Sequence, residues 1–160
     1  MSFGAPTIAS NVVTNNTVTM FGGTMGGGIV IGGSTHAYVV GNRVTNNYGV
    51  AWGGGIAVFG VNGVIYLINN IVTGNSSLDN GGGLWFGNIS GENVEDNVVA
   101  NNSSPSGAQV YIAVGGSAAG FQMANNTIVG NTKTTDAAVV AHSLDSHEHF
   151  YNNIISTLGT

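Results

Sequence analysis

The chain has 160 residues and only two basic ones, Arg43 and Lys133, against seven acidic ones, for a formal charge of −5. That balance excludes the electrostatic footprint of a nucleic-acid binder or of a protein held on an anionic membrane surface. There is no cysteine, hence no disulfide framework, thiolate nucleophile or Cys-ligated metal, and no run approaches the 18 or so apolar residues of a membrane-crossing helix.

Charged residues make up 6% of the chain, where about 25% is ordinary for a soluble domain. Asn, Ser, Thr and Gly must therefore keep the surface wet, and little repulsion holds copies apart. The opening Met1-Ser2-Phe3-Gly4-Ala5-Pro6 lacks the basic start and apolar core of a signal peptide.

Taken in order, the chain repeats Asn-x-Val/Ile-x-x-Asn. The pattern runs from Asn11 to Asn16, from Asn42 to Asn47, from Asn70 to Asn75, from Asn97 to Asn102 and from Asn126 to Asn131. A last copy starts at Asn153 and lacks its closing Asn. The steps between first asparagines are 31, 28, 27, 29 and 27 residues, a period that predicts a solenoid. No boundary interrupts it, so residues 1–160 are expected to form one domain.

Three residues before each first Asn stand Ile8, Val39, Leu67, Val94, Met123 and Phe150, and two after it Val13, Val44, Val72, Val99, Ile128 and Ile155. These columns are apolar, the second wholly β-branched, and predict inward-facing strand positions. Thr14, Thr45, Thr73, Ala100, Val129 and Ser156 form a mixed, outward column. Asn11, Asn42, Asn70, Asn97, Asn126 and Asn153 are expected at a sharp corner. There Asn tolerates left-handed backbone, and stacked amides can bond along the solenoid.

The pairs Asn46-Asn47, Gly74-Asn75, Asn101-Asn102 and Gly130-Asn131 mark a second corner, followed by a variable loop and a third strand. That strand follows three glycines in its first three versions (26–31, 53–58 and 81–86); the fourth and fifth (110–114 and 137–141) lose the glycines. Three strands per coil of roughly 28 residues, over about 5.5 coils, describe an all-β, three-sided parallel β-helix without obvious caps. Nothing supports helix.

The phrases at 125–131 (Asn-Asn-Thr-Ile-Val-Gly-Asn) and 81–86 (Gly-Gly-Gly-Leu-Trp-Phe) resemble the right-handed parallel β-helix repeat proteins. That broad family takes in pectate-lyase-like enzymes, alginate epimerases, phage tailspikes and bacterial surface proteins. The likeness covers about residues 8–158, implies the right hand, and is closest in style to surface and autotransporter-like members. Because the repeated residues are those that stack, it carries fold and not activity. It implies that lyases of this fold use a Lys or Arg base with calcium-holding acids, and hydrolases clustered aspartates. Here Arg43 and Lys133 are three coils apart, Asp79, Asp96, Asp136 and Asp145 are scattered, and the chain is about half the length that the resemblance implies for an enzyme. A non-enzyme without cofactor is expected.

Among candidate sites, His147 and His149 would share a face of a strand and suit a metal, although Phe150 in the inward column turns them to solvent. Glu92 and Glu148, five residues before an Asn corner, are expected at a bend in water. Trp52, Trp85, Tyr38, Tyr66, Tyr111 and Tyr151 are candidates for one aromatic strip that stacks on sugars, with Tyr38 and Tyr66 in one outward column followed by Asn93, Gln122 and His149. That pair is a candidate glycan or lateral contact. The triple glycines are not followed by Lys-Ser/Thr and are no phosphate loop.

The functional expectation is a structural subunit, extracellular or at a cell surface, that stacks head to tail by strand addition. Its junction would be Phe3, Ile8 and Val13 at one end and Ile154, Ile155 and Leu158 at the other. The other readings are a carbohydrate-binding or polysaccharide-processing β-helix, and a piece of a longer enzyme or adhesin.

Overall fold

A computed structural model describes residues 5–19, 25–33, 36–60, 63–89, 91–107, 109–113, 120–130 and 137–157. Among them there is no helix, and the strands form three long parallel sheets. The first stacks Thr7–Ala9, His36–Val40, Val64–Ile68, Asn93–Glu95, Gln122–Ala124 and His149–Tyr151. The second stacks Val12–Thr14, Arg43–Thr45, Ile71–Thr73, Val98–Ala100, Thr127–Val129 and Ile154–Ser156, and the third Ile29–Gly32, Ile56–Phe59, Leu84–Gly87, Val110–Ala113 and Val139–His142. Each coil visits the sheets in turn, so every strand pairs with its counterpart one repeat away. The loop before the third sheet is more regular than its sequence implies: Tyr48–Gly49 pairs with Ser76–Ser77, and isolated bridges join Met25, Trp52, Asn80 and Ser106.

Both expected columns stack in register. Val39, Leu67, Val94 and Met123 in the first sheet, and Val44, Val72, Val99 and Ile128 in the second, are completely buried. The end members Ile8 and Val13 are partly buried, while Phe150 and Ile155 are exposed. In the third sheet Ile56, Leu84 and Val110 fill one inward column and Val58, Phe86 and Ile112 another. Thr45 in the outward column is buried nonetheless, and its Oγ1 donates to Thr14 Oγ1 at 3.1 Å.

The asparagine corner differs from expectation in one respect. The left-handed residue is the one before each Asn: Ser10, Gly41, Asn69, Asp96, Asn125 and Asn152, with φ between 54° and 62°. Ser, Gly, Asn and Asp tolerate or hydrogen-bond locally in that conformation, so the bend does not require the conserved-looking Asn beside it. The ladder does. The backbone N–H and Nδ2 of Asn42 both donate to Asn70 Oδ1 at 2.9 and 3.0 Å, and a second Nδ2 hydrogen goes back to Ile8 O at 2.8 Å. The same pattern links Asn11 to Asn42, Asn70 to Asn97, Asn97 to Asn126 and Asn126 to Asn153.

A second ladder runs through Asn16, Asn47, Asn75 and Asn102, one residue past the left-handed Asn15, Asn46, Gly74 and Asn101. It next meets Gln109, whose Oε1 accepts from Asn102 N and Nδ2 at 3.0 and 2.9 Å and whose Nε2 returns a bond to Asn102 O at 2.9 Å. Asn131, the periodic partner, lies outside the described residues. Gln109 occupies the place held in earlier coils by Gly28, Gly55 and Gly83, immediately before the third-sheet strand. Those glycines are required because the chain passes over the ladder: a Cβ on Gly55 would stand 2.6 Å from Gly83 O and 3.0 Å from Asn75 Nδ2. In the fourth coil the triple glycine is replaced around a retained Gly107, left-handed like Gly26, Gly53 and Gly81, and a side chain enters the ladder instead of clearing it.

Glu92 corrects another expectation. It does not reach water at a bend; it is 0% exposed, in the inward column with Ala37, Ile65 and Phe121, and its Oε2 accepts from Gly91 N at 3.1 Å. Glu148, the end member of that column, is half-buried.

Asn70→Ala removes the amide that Asn42 N–H, one hydrogen of Asn42 Nδ2 and Val39 O bond to in the buried interior, while Asn97 Oδ1 keeps the backbone N–H of residue 70. With each buried group left unmade costing about 1–3 kcal/mol, the loss should be about 3 kcal/mol or more. Asn11→Ala, the same change at the exposed first position, should cost under about 1 kcal/mol. Urea unfolding followed by circular dichroism compares the two, and equal losses would contradict the ladder's energetic role.

Candidate functional site

The aromatic residues fall on two different faces rather than along one strip. On the first sheet Tyr38 and Tyr66 stack with ring centroids 4.8 Å apart and planes 7° from parallel. They continue in register into Asn93, Gln122 and His149, as the sequence predicts, and Tyr151 Oη at the end of that sheet donates to Gln122 Oε1 at 3.3 Å.

On the third sheet the outward position of Leu84–Gly87 is Trp85, paired in register with Ala57 and Tyr111. Its ring lies along the strand over Gly87, where a Cβ would collide with Cζ2 and Cη2, so Gly87 is what allows the indole to lie flat. Trp52, in the bridged turn one coil earlier, stacks on it with centroids 5.1 Å apart and planes 9° from parallel. Trp52 Nε1 donates to Asp79 Oδ2 at 2.8 Å. Trp85 is 8% exposed, and its Nε1 is a buried donor with no hydrogen-bond partner. Beside the pair opens a groove of about 360 Å³ lined chiefly by Met25, Trp52, Phe59, Trp85, Gly87 and Asn88.

Of the expected junction residues, Phe3 and Leu158 lie outside the described residues. Ile8 and Val13 face inward and are partly buried. Ile155 continues the inward column and is 51% exposed, whereas Ile154 points outward and is 63% exposed. Ile154 ends an outward row on the second sheet (Val12, Arg43, Ile71, Val98, Thr127), of whose exposed aliphatic members the sequence reading singled out Ile154 but not Val12, Ile71 or Val98.

Residues 4–155 match the family model described as a right-handed β-helix region. The chain belongs to that family. No curated protein and no solved structure matches it significantly.

A right-handed β-helix serves enzymes and non-enzymes alike, so the carboxylates have to be read by position. Glu95 lies in register between Ile68 and Ala124, Asp96 is the left-handed residue of its corner, and Asp79 is engaged by Trp52. Glu92 has Ile65 and Phe121 as column neighbours, and Asp136 and Lys133 lie outside the described residues. Among the described residues no two carboxylates occupy matching positions on adjacent coils. No group of three or more His, Asp or Glu side chains there is placed to hold a metal ion, and no helix is long and apolar enough to cross a membrane.

The histidine cluster is arranged differently from its spacing. His149 is in a strand, but His147 is in the preceding turn, with Nδ1 2.7 Å from Asp145 Oδ1 and its backbone N–H donating to the same oxygen at 2.8 Å. That backbone bond first, and the ring second, hold the Asp145 carboxyl below its usual range. Any stabilisation of the turn is therefore present above the unfolded carboxyl's pKa and lost as pH falls through the lower folded value. An NMR titration of Asp145 should show a depressed midpoint that rises only part-way in His147→Ala, because the backbone donor remains; an unshifted midpoint in the parent would contradict the turn.

Proposed function

We propose that this β-helix is a non-catalytic structural subunit that stacks head to tail with further copies of itself into a filament or fibre outside the cell. The observation that carries the reading is the first asparagine ladder, whose two ends are complementary. Among the described residues Asn11 Oδ1 accepts nothing, while Asn153 gives one amide hydrogen to Met123 O and keeps its backbone N–H and a second amide hydrogen ungiven. A second copy placed on the last coil extends the ladder by one more identical step.

The same placement lays His149–Tyr151 against Thr7–Ala9 and Ile154–Ser156 against Val12–Thr14 of the next copy, edge to edge, and covers Phe150 and Ile155. Among the described residues the third sheet holds five strands against six in each of the first and second, so the first two sheets carry the junction. Full burial of an aliphatic side chain contributes about 1.5–3 kcal/mol, and main-chain bonds between edge strands add affinity. The location outside the cell rests on the resemblance to surface proteins. The non-catalytic reading is supported by the scattered carboxylates.

A second reading, carbohydrate binding, is favoured by the two stacked aromatic pairs, Tyr38 with Tyr66 on the first sheet and Trp85 on the third with Trp52 from the adjoining turn.

Sedimentation and electron microscopy of the purified chain test assembly. Concentration-dependent growth into uniform rods is expected, and Ile155→Asp, which places a charge at the junction, should abolish it while the far-ultraviolet spectrum stays that of a folded β-protein. A parent that sediments as a monomer at all concentrations, or rods that survive Ile155→Asp unchanged, would overturn the proposal.

A further inference from the structure

We infer that the groove beside Trp52 and Trp85 is a binding site for a neutral sugar ring, a pyranose unit of an uncharged glycan. This deepens the carbohydrate-binding reading and rests on it, but it does not depend on self-stacking.

A buried donor without a partner costs about 1–3 kcal/mol and calls for an explanation in a native structure. Trp85 Nε1 is such a donor, on a side chain that lines the groove. Two further features line the groove with it, and a third residue is bonded to Trp52. Trp52, half-exposed, presents an indole platform. Asp79, exposed and outside the groove's lining, accepts from Trp52 Nε1 and fixes that ring's orientation. Asn88 is exposed at the groove, and its side-chain amide bonds to nothing among the described residues.

An apolar ligand would satisfy the stacking surface and leave these polar groups unmet. A pyranose satisfies both, with a C–H face for the indole, oxygens that accept from Trp85 Nε1–H and Asn88 Nδ2, and hydroxyls that donate to Asn88 Oδ1. At about 360 Å³ the groove lies at the small end of ligand clefts, which run from roughly 300 to 1,000 Å³, so it suits a short segment of glycan.

Charge selects among sugars. Among the described residues no Lys, Arg, Asp or Glu lines the groove, and Arg43 faces outward from the second sheet. A uronic acid or a sulfated sugar would find no counter-ion in the groove. Trp52 lines the groove and is held at its polar end by one hydrogen bond to an exposed side chain, so a ligand stacks directly on an indole. Binding should therefore change tryptophan emission.

The test is calorimetric and fluorescence titration of the full chain with neutral gluco-, manno-, xylo- and galacto-oligosaccharides, beside oligogalacturonate. At least one neutral series should bind with a change in emission, and oligogalacturonate should not. Trp52→Ala should remove binding. Trp85→Phe, which keeps the ring and deletes the N–H, should weaken it about tenfold with an unchanged circular-dichroism spectrum, and Tyr38→Ala with Tyr66→Ala should leave it intact. Binding lost with the tyrosines but kept in Trp52→Ala and Trp85→Phe would overturn the groove and leave carbohydrate binding standing on the first sheet. Preference for oligogalacturonate would overturn the charge argument, and no binding to any member of the panel would overturn both.

Discussion

A buried side-chain amide that bonds to the same amide one coil away is the constraint on which the rest of this solenoid depends. In the core copies each Oδ1 takes two hydrogens from the coil before, and each Nδ2 gives one hydrogen onward and one back to the main chain. A carboxylate cannot give those hydrogens, and glutamine in the same place would carry an extra methylene into a close-packed corner. The strands follow from this. A fixed corner on each coil brings successive Val and Ile positions into register, and the apolar columns then close the core.

Regularity also determines where departures are tolerated. The glycines before the third-sheet strand clear the second ladder by absence of a side chain, and Gln109 meets the same need by joining it. Glu92 is a departure of another kind, a carboxyl in the middle of an apolar column. In this frame outward positions are free to carry chemistry: Tyr38 and Tyr66 lie at such positions on the first sheet, and Trp85 on the third with Trp52 stacked on it from a turn.

Much of the fold was legible because it is periodic. Six asparagines and two flanking apolar columns announce themselves by spacing, and the strands fall where those columns predict. What escaped was out of phase. Gln109 lies seven residues from the amide it serves rather than one repeat away, and Trp52 and Trp85 come from a turn and a strand of neighbouring coils, so no alignment of repeats places them together. Glu92 was legible in principle: five and three residues before the corner are the same face of a strand, so the column of Val94 is also its column. The left-handed residue was obscured by its neighbour, since both positions favour Asn.

Because every ladder bond runs the same way, the rod has a direction of its own. Along the first ladder the amide oxygens face the first coil and the main-chain N–H groups face the last. Aligned amide dipoles in a dry interior polarise one another and do not cancel, as they do along a helix axis. The two ends are thus electrically unlike: acceptors concentrate at one and donors at the other. Two like ends brought face to face would set oxygen against oxygen or hydrogen against hydrogen, so a two-fold symmetric pairing of ends is disfavoured before any side chain is considered.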